Sequence, residues 1–388
     1  MTGRIFATLI IFSMSLVLPA QVRVRLLTGS YPQYTIFRVV SGSYELDDYA
    51  RKPIVLPEGR MILVAKKDNK LAVKVENLEA FSCDSVILRA AGSDCRFNIY
   101  ETGKNNINRI FSGDLQCIAE NGGVFLINIC DIESYIAGVV KAEGGNGKTR
   151  DYFRVQATIT RTYTYRHLGR HLSDGYNLCD DVHCQVFSGL ATDTLIRGAV
   201  ADTRDEVIVT PDSNLIISAF HSNCGGETSP SEYAWPSSQP YLAKVIDPYC
   251  TSTKNATWKK EVDLNSWASM LKGFGYKGIT DSAAIFNWPD TGRVRDYRVG
   301  DFSVPFSRIR SELNLRSAWF GIKASGDTLI LSGRGYGHGI GLCQEGAIAM
   351  ASKGIGYKEI IRFYYPGVTI LRIGDAKKVI ADPLTIKN

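Results

Sequence analysis

DIESYIAGVVKAEGGNGK (131–148), DYFRVQATITRTYTYRH (151–167) and HLSDGYNLCDDVHCQVF (171–187) make up the stretch on which the reading of the fold turns. Apolar residues recur at helical spacing over 132–140, and Gly144, Gly145 and Gly147 then break the pattern. A second helix is predicted over 150–168, with Tyr152, Val155, Ile159 and Tyr163 on one face and Gly169 as its stop. Glu143 therefore stands at the mouth of a helix-loop-helix. Behind it come three of the chain's five histidines, two of them interleaved with cysteines.

On the amino-terminal side, residues 21–115 alternate apolar and polar positions in short runs such as VRVRLL, YTIFRVV and KLAVKV, separated by Gly, Asn, Asp and Pro. That is the pattern of half-buried antiparallel strands. GGVFLINI (122–129) reads as one more strand leading into Asp131. On the carboxyl side, LIISAFHSNCGGETSPSEYAW (215–235) reads as a strand ending at His221-Ser222 and a Gly225-Gly226 turn. Helices are predicted over 264–274, 307–315, 343–352 and 357–363. Between them lies GRGYGHGIG (333–341), whose alternation predicts a ribbon with one face stripped of side chains and Arg334, Tyr336 and His338 on the other. The expected class is α+β: a β-rich amino-terminal domain (21–115) and a mixed α/β catalytic domain with a substrate groove (116–388).

Residues 1–20, MTGRIFATLIIFSMSLVLPA, read as a secretory signal peptide cleaved near Ala20, with a membrane anchor as the alternative. The expected location is the periplasm or cell-wall space. The formal charge of +6 becomes +5 without Arg4, the signs are well mixed, and no basic run carries interleaved aromatics. Nucleic acid is therefore not an expected partner. Nine cysteines in an exported chain suggest disulfides, and proximity suggests Cys83–Cys95, Cys117–Cys130 and Cys224–Cys250.

A lone carboxyl group such as Glu143 can serve as acid and then base if burial raises its pKa against neighbours such as Lys148 and Arg161. The plain alternative is a surface glutamate ending a helix. His171, Cys179, His183 and Cys184 offer two imidazoles and two thiolates, a tetrahedral donor set for a closed, structural zinc site. Both His183 and Cys184 can reach one ion only if the backbone turns between them, and a Cys179–Cys184 disulfide competes. Ser222 next to His221 is a poor nucleophile-base pair, because neighbours on a strand face opposite ways. Trp235 and Tyr241 can stack on sugars or pack in the core. The glycine-rich run lacks the GxxxxGK[ST] pattern of a phosphate loop.

Taken together, SYIAGVVKAE, QATITRTY, HLSDGYNLCDDVHCQVFSG, HSNCGGET and GRGYGHGIGLCQEGAIAMA with YYPG resemble the stage II sporulation protein D and LytB family, over roughly residues 115–371. The resemblance implies a lytic transglycosylase acting on peptidoglycan glycan strands stripped of stem peptides, or an enhancer of an N-acetylmuramoyl-L-alanine amidase. It places the catalytic acid on Glu143 and the zinc set on His171, Cys179, His183 and Cys184. It places Gln156, Arg161, Gln185, His221, Ser222, Tyr336, His338 and Gln344 along the groove. Two departures stand out: Gly144-Gly145 where members usually carry Met-Pro, implying a looser loop, and Cys343 where they usually carry Ser, which reads as mild.

Overall fold

The alternating runs form two sheets in the computed structural model, which describes residues 21–101, 107–120, 122–145, 148–279, 283–290 and 292–376. The leader expected over 1–20 lies outside the described residues. Strands β1 (Gln21–Leu26), β2 (Tyr34–Ser41), β3 (Tyr44–Asp47), β4 (Ile54–Leu56), β5 (Met61–Lys67) and β6 (Lys70–Val75) are followed by β7 (Phe81–Cys83) and β8 (Ser85–Ala90). Then come β9 (Arg96–Glu101), β10 (Ile107–Ser112), β11 (Asp114–Glu120) and β12 (Gly123–Asp131). One sheet runs β10-β9-β2-β5-β6-β7, and the other runs β13-β1-β12-β11-β8-β3-β4, where β13 is Leu178–Cys179.

The expected domain boundary at 115/116 falls inside β11 and does not separate two bodies. β1 lies antiparallel to β12 from Gln21↔Asp131 to Leu26↔Leu126, and its other edge takes β13 in parallel. The cause is the pairing demand of a strand. β1 alternates Val22, Val24 and Leu26 inward, and both of its edges are satisfied by the segments that frame the helices. The stretch 131–187 thus grows directly out of the β-sheet.

Register also rules out two of the expected disulfides. Cys117 is opposite Leu126, whereas Asp114 is already opposite Ile129, so Cys130 sits about four residues, roughly 13 Å, farther along the ladder. A disulfide needs Cα atoms within about 7 Å. Cys95 precedes β9 and Cys83 lies in β7, with three strands between them in the sheet. All nine cysteines are free thiols.

Helix α1 (Ile132–Gly144) starts where the Asp131 carboxylate accepts the Ser134 N–H at 2.9 Å. Helix α2 (Arg150–His167) is capped likewise by Thr149. The sequence predicts one apolar face for α2, but the helix is buried nearly all round. It packs against α1, α3 (Thr194–Asp202), β14 (Glu206–Val209) and two later helices. Three of its threonines tolerate this because Thr158, Thr162 and Thr164 each donate to the carbonyl four residues back, at 2.7–2.9 Å. The helix therefore needs no wet face.

Gly138 is where α1 meets the segment after β13. A Cβ there would lie 2.4 Å from both the Gly189 carbonyl and the Phe187 ring. Gly138→Ala is expected to destabilise the protein by about 1–3 kcal/mol through overpacking, seen as a lower urea midpoint. An unchanged midpoint would show that this contact relaxes freely.

A second, smaller core belongs to β16 (Thr257–Asp263), α4 (Leu264–Gly273), β17 (Asp296–Val299), β18 (Phe302–Pro305), α5 (Phe306–Glu312), β19 (Phe320–Ser325) and β20 (Thr328–Arg334). Trp267, Tyr297, Phe306, Leu329 and Leu331 fill it. From β20 the chain returns to the main core. β15 (Phe220–His221) pairs in parallel with β21 (Leu342–Cys343), followed by α6 (Gln344–Ser352) and α7 (Tyr357–Tyr364). β22 (Thr369–Arg372) closes against β14. The class is α+β, as the sequence predicts.

Candidate active site

Glu143 lies in the last turn of α1, half-buried, with one carboxylate oxygen accepting the Val186 N–H at 3.0 Å. Burial pushes its pKa above the ordinary glutamate value of 4.5, and the Val186 N–H offsets part of that rise. The helix end acts in the same direction as burial, since a negative charge is disfavoured beside the C-terminal carbonyls. Among the described residues no Lys or Arg forms an ion pair with Glu143. Arg161, expected to hold it charged, is engaged elsewhere.

Two glutamines frame this end of α1. Gln344, the first residue of α6, donates from Nε2 to the Glu143 carbonyl at 3.0 Å. Gln156 of α2 is fully buried beside Gly144, and neither its Nε2 nor its Oε1 has a partner. Tyr152 completes the group; burial raises its hydroxyl well above the ordinary tyrosine value. A buried amide with both ends free costs energy. Gly144 remains helical and Gly145 turns out with φ +70°, so the acid itself is carried on regular helix despite the missing Met-Pro.

His171, Cys179, His183 and Cys184 converge, with one donor atom from each within 4.8 Å of the others. Cys184 Sγ lies 3.5 Å from His171 Nε2, and His183 Nδ1 lies 3.7 Å from both sulfurs. A tetrahedral zinc site with ordinary bond lengths has S···N edges of about 3.6 Å. The backbone turn that the sequence requires is present: the Cys184 N–H donates to the Asp181 carbonyl at 2.9 Å. His171 is oriented by Asp174 at Nδ1 (3.4 Å) and stacks on Tyr176. A hydrogen bond from Cys184 is the main cause that lowers the Cys179 thiol to about 5. Two residues beyond Cys184 comes Val186, whose N–H holds Glu143.

The HSNCGGET and GRGYGHGIG segments run side by side. Asn223 and Tyr336 exchange both backbone hydrogen bonds, at 3.0 and 2.8 Å. The predicted one-sided ribbon does not form. β20 ends at Arg334, and Gly335, Gly337, Gly339 and Gly341 all take positive φ, so the chain coils back on itself. Close approach requires this, since a Cβ on Gly341 would lie 2.2 Å from the Ala219 carbonyl. Tyr336 is consequently 45% exposed, whereas His338 turns inward against His221 and Trp235. His221 is buried, with Nδ1 3.1 Å from the Ile340 carbonyl and Nε2 unpartnered. Burial holds both imidazoles neutral, lowering His338 to about 4.

Residues 120–209, which include Glu143 and the His/Cys set, match the family model described as stage II sporulation protein. The chain is 28% identical to the stage II sporulation protein D of Bacillus subtilis, over 62% of this chain and 74% of that one. It is 28% identical to the amidase enhancer of the same organism over 61% of this chain, which spans 40% of that relative's length. An uncharacterized protein of Brachyspira hyodysenteriae is 27% identical over 90% of this chain and 92% of its own. The chain is similar to stage II sporulation protein D and to the amidase enhancer.

The expected groove residues separate into three groups. Gln156 and Gln344 adjoin Glu143. Ser222 accepts the Glu345 N–H at its carbonyl and so lies next to Gln344, and His221 packs against His338. Arg161 does not line the groove. It is fully buried, pairs with Glu133 at 2.8 and 2.5 Å and also reaches the Val200 and Glu206 carbonyls, tying α1 and α2 to α3 and β14. Gln185 is likewise interior, bonded to Thr164 at 3.2 Å.

Tyr241 is buried, its hydroxyl accepting the Ile217 N–H at 3.1 Å. It borders a cavity of about 1030 Å³, which lies between residues 166–167, 210–215, 239–241 and 366–368 and does not include Glu143. Chemistry and concavity thus part company here, and the polar cluster around Glu143 is the stronger guide to a reaction centre. Among the described residues no helix is long and apolar enough to cross a membrane.

Proposed function

We propose that this protein is an exported lytic transglycosylase of peptidoglycan in which Glu143 is both acid and base. The observation that carries the reading is the setting of Glu143: a half-buried carboxyl at a helix C-terminus, with raised pKa, one N–H contact and two glutamines beside it. The neutral acid gives its proton to the glycosidic oxygen as the bond from C1 of N-acetylmuramic acid breaks and an oxocarbenium-like centre develops. The carboxylate then takes the proton of the muramic C6 hydroxyl, whose oxygen bonds to C1. The acid is regenerated, a 1,6-anhydro end forms and no water is consumed. Gln156, with both amide atoms free, is suited to hold the sugar. His171, Cys179, His183 and Cys184 would hold a structural zinc that fixes Val186 and so aims Glu143.

The test is mass spectrometry of material released from peptide-stripped and intact peptidoglycan. Anhydro-muramic ends support the reading, and reducing muramic ends would mean hydrolysis instead. No product from the protein alone, together with faster cleavage by an added purified amidase, would favour the second reading, which rests on the amidase enhancer among the relatives.

A pH dependence follows. The free protein must hold Glu143 protonated, so cleavage is expected to fall as pH rises through its raised pKa, above the ordinary 4.5. A rate that climbs through that same range would assign the acid role to another group. The stability linkage has the same sign: the folded state binds the proton more tightly than the unfolded chain, so this group's contribution declines as pH rises above about 4.5.

A further inference from the structure

The three cysteines of the carboxyl half are far apart in sequence and meet in the interior. Cys224 follows β15, Cys250 lies in the loop after Asp247, and Cys343 is the N-cap of α6. All three, and Asp247, have no solvent exposure. One donor atom from each of the four lies within 4.8 Å of the others. Cys224 Sγ is 3.3 Å from Cys250 Sγ and 3.2 Å from Asp247 Oδ2. The expected Cys224–Cys250 disulfide is not formed, and Cys343 stands within reach of both partners.

Hydrogen-bond donors face the cluster. Cys343 Sγ accepts two backbone N–H groups, from Cys224 and Gly346, both at 3.3 Å. Asp247 is oriented by the Tyr249 N–H at Oδ1 (2.8 Å) and by the Tyr364 hydroxyl at Oδ2 (2.9 Å). Arg293 donates to the Cys224 and Glu227 carbonyls at 2.6 and 2.7 Å, placing a cation beside the cluster. We infer that Cys224, Asp247, Cys250 and Cys343 form a second structural zinc site.

Three soft thiolates and one carboxylate favour zinc over the hard cations, which take mainly oxygen ligands. A tetrahedral site has S···S edges of about 3.8 Å and S···O edges of about 3.5 Å, so the group needs to open by only a few tenths of an ångström. Four protein donors leave no open position, so the ion would not activate water. On loading, each thiol proton leaves to solvent as its sulfur binds the metal. Three thiolates and a carboxylate leave two negative charges around the ion, which Arg293 and the N–H groups offset in part.

The site would fasten the wall of the groove. β15 and β21 share only the pairs Phe220↔Leu342 and His221↔Cys343, too short a ladder to hold itself. Zinc bound to Cys224 and Cys343 would lock His221 and Ser222 to Gln344, and through Gln344 to Glu143. Glu345 reinforces the same corner, accepting from Asn223 and Asn255 at 2.7 and 2.5 Å. This inference is independent of the transglycosylase reading.

The test is metal counting on the whole mature chain purified with zinc and reductant. About two zinc ions per chain are expected, falling to about one in Asp247→Ala and, separately, to about one in His183→Ala. One zinc in the wild type that is lost in His183→Ala and kept in Asp247→Ala overturns the second site. One zinc with the opposite pattern upholds it and removes the first. Where Asp247→Ala does not fold, cobalt(II) titration of the metal-free wild type decides, with saturation at about two equivalents expected and at about one, with His183→Ala abolishing it, as the contrary result. A Cys224–Cys250 disulfide in peptides from the zinc-saturated protein would also overturn the inference.

Discussion

Glu143→Gln is expected to cut release of anhydro-muramic ends by about 10²–10⁴-fold, the usual contribution of a positioned acid-base group, with the fold intact. The amide has the same shape and its oxygen can still accept the Val186 N–H, so α1 and the loop after Cys184 keep their contact. The change removes only the proton. Because burial already disfavours the charged carboxylate, the variant should melt at or slightly above the wild-type temperature at neutral pH. Product release unchanged in Glu143→Gln would sink the assignment. Loss of product accompanied by a lower melting temperature would point to a structural part for Glu143 instead.

Arg161→Leu is expected to lower stability by about 3–5 kcal/mol, because it leaves the Glu133 carboxylate buried without its cation. In a chain of this size that is a fall in melting temperature on the order of 10 °C. Arg161 also satisfies the Val200 and Glu206 carbonyls, so α3 and β14 loosen from α2 together. Adding Glu133→Leu should recover part of the loss, since removing both charges also removes the desolvation cost. A variant with wild-type melting temperature and weakened glycan binding would return Arg161 to the groove wall and refute the structural assignment.

Helices were legible wherever local spacing and stop residues decide them. The 132–140 pattern became α1, extended to Gly144, and 343–352 became α6 with Cys343 as its cap. Residues 307–315 and 357–363 shifted only at their ends. The domain boundary was not legible, because the partner of β1 lies about a hundred residues away in β12, and strand pairing leaves no mark at the strand itself. For the same reason the proximity argument failed for Cys117–Cys130 and Cys83–Cys95, which register and strand order place apart, whereas Cys224 and Cys250 do meet.

Composition, spacing and turn chemistry by themselves determined the α+β class, the helix-loop-helix that carries Glu143 and the clustering of His171, Cys179, His183 and Cys184. Each rests on contacts within a few tens of residues. Only the tertiary structure decided what those residues face. Arg161 sits on a helix that is buried nearly all round, which a one-sided apolar pattern cannot reveal. Gln344 reaches Glu143 from two hundred residues away, because β21 docks on β15. Cys343 reads as a mild departure in the sequence, and in the folded chain it meets Cys224, Asp247 and Cys250. The physical reason is common to all three: burial and long-range packing are properties of how segments are brought together, and no single segment encodes them.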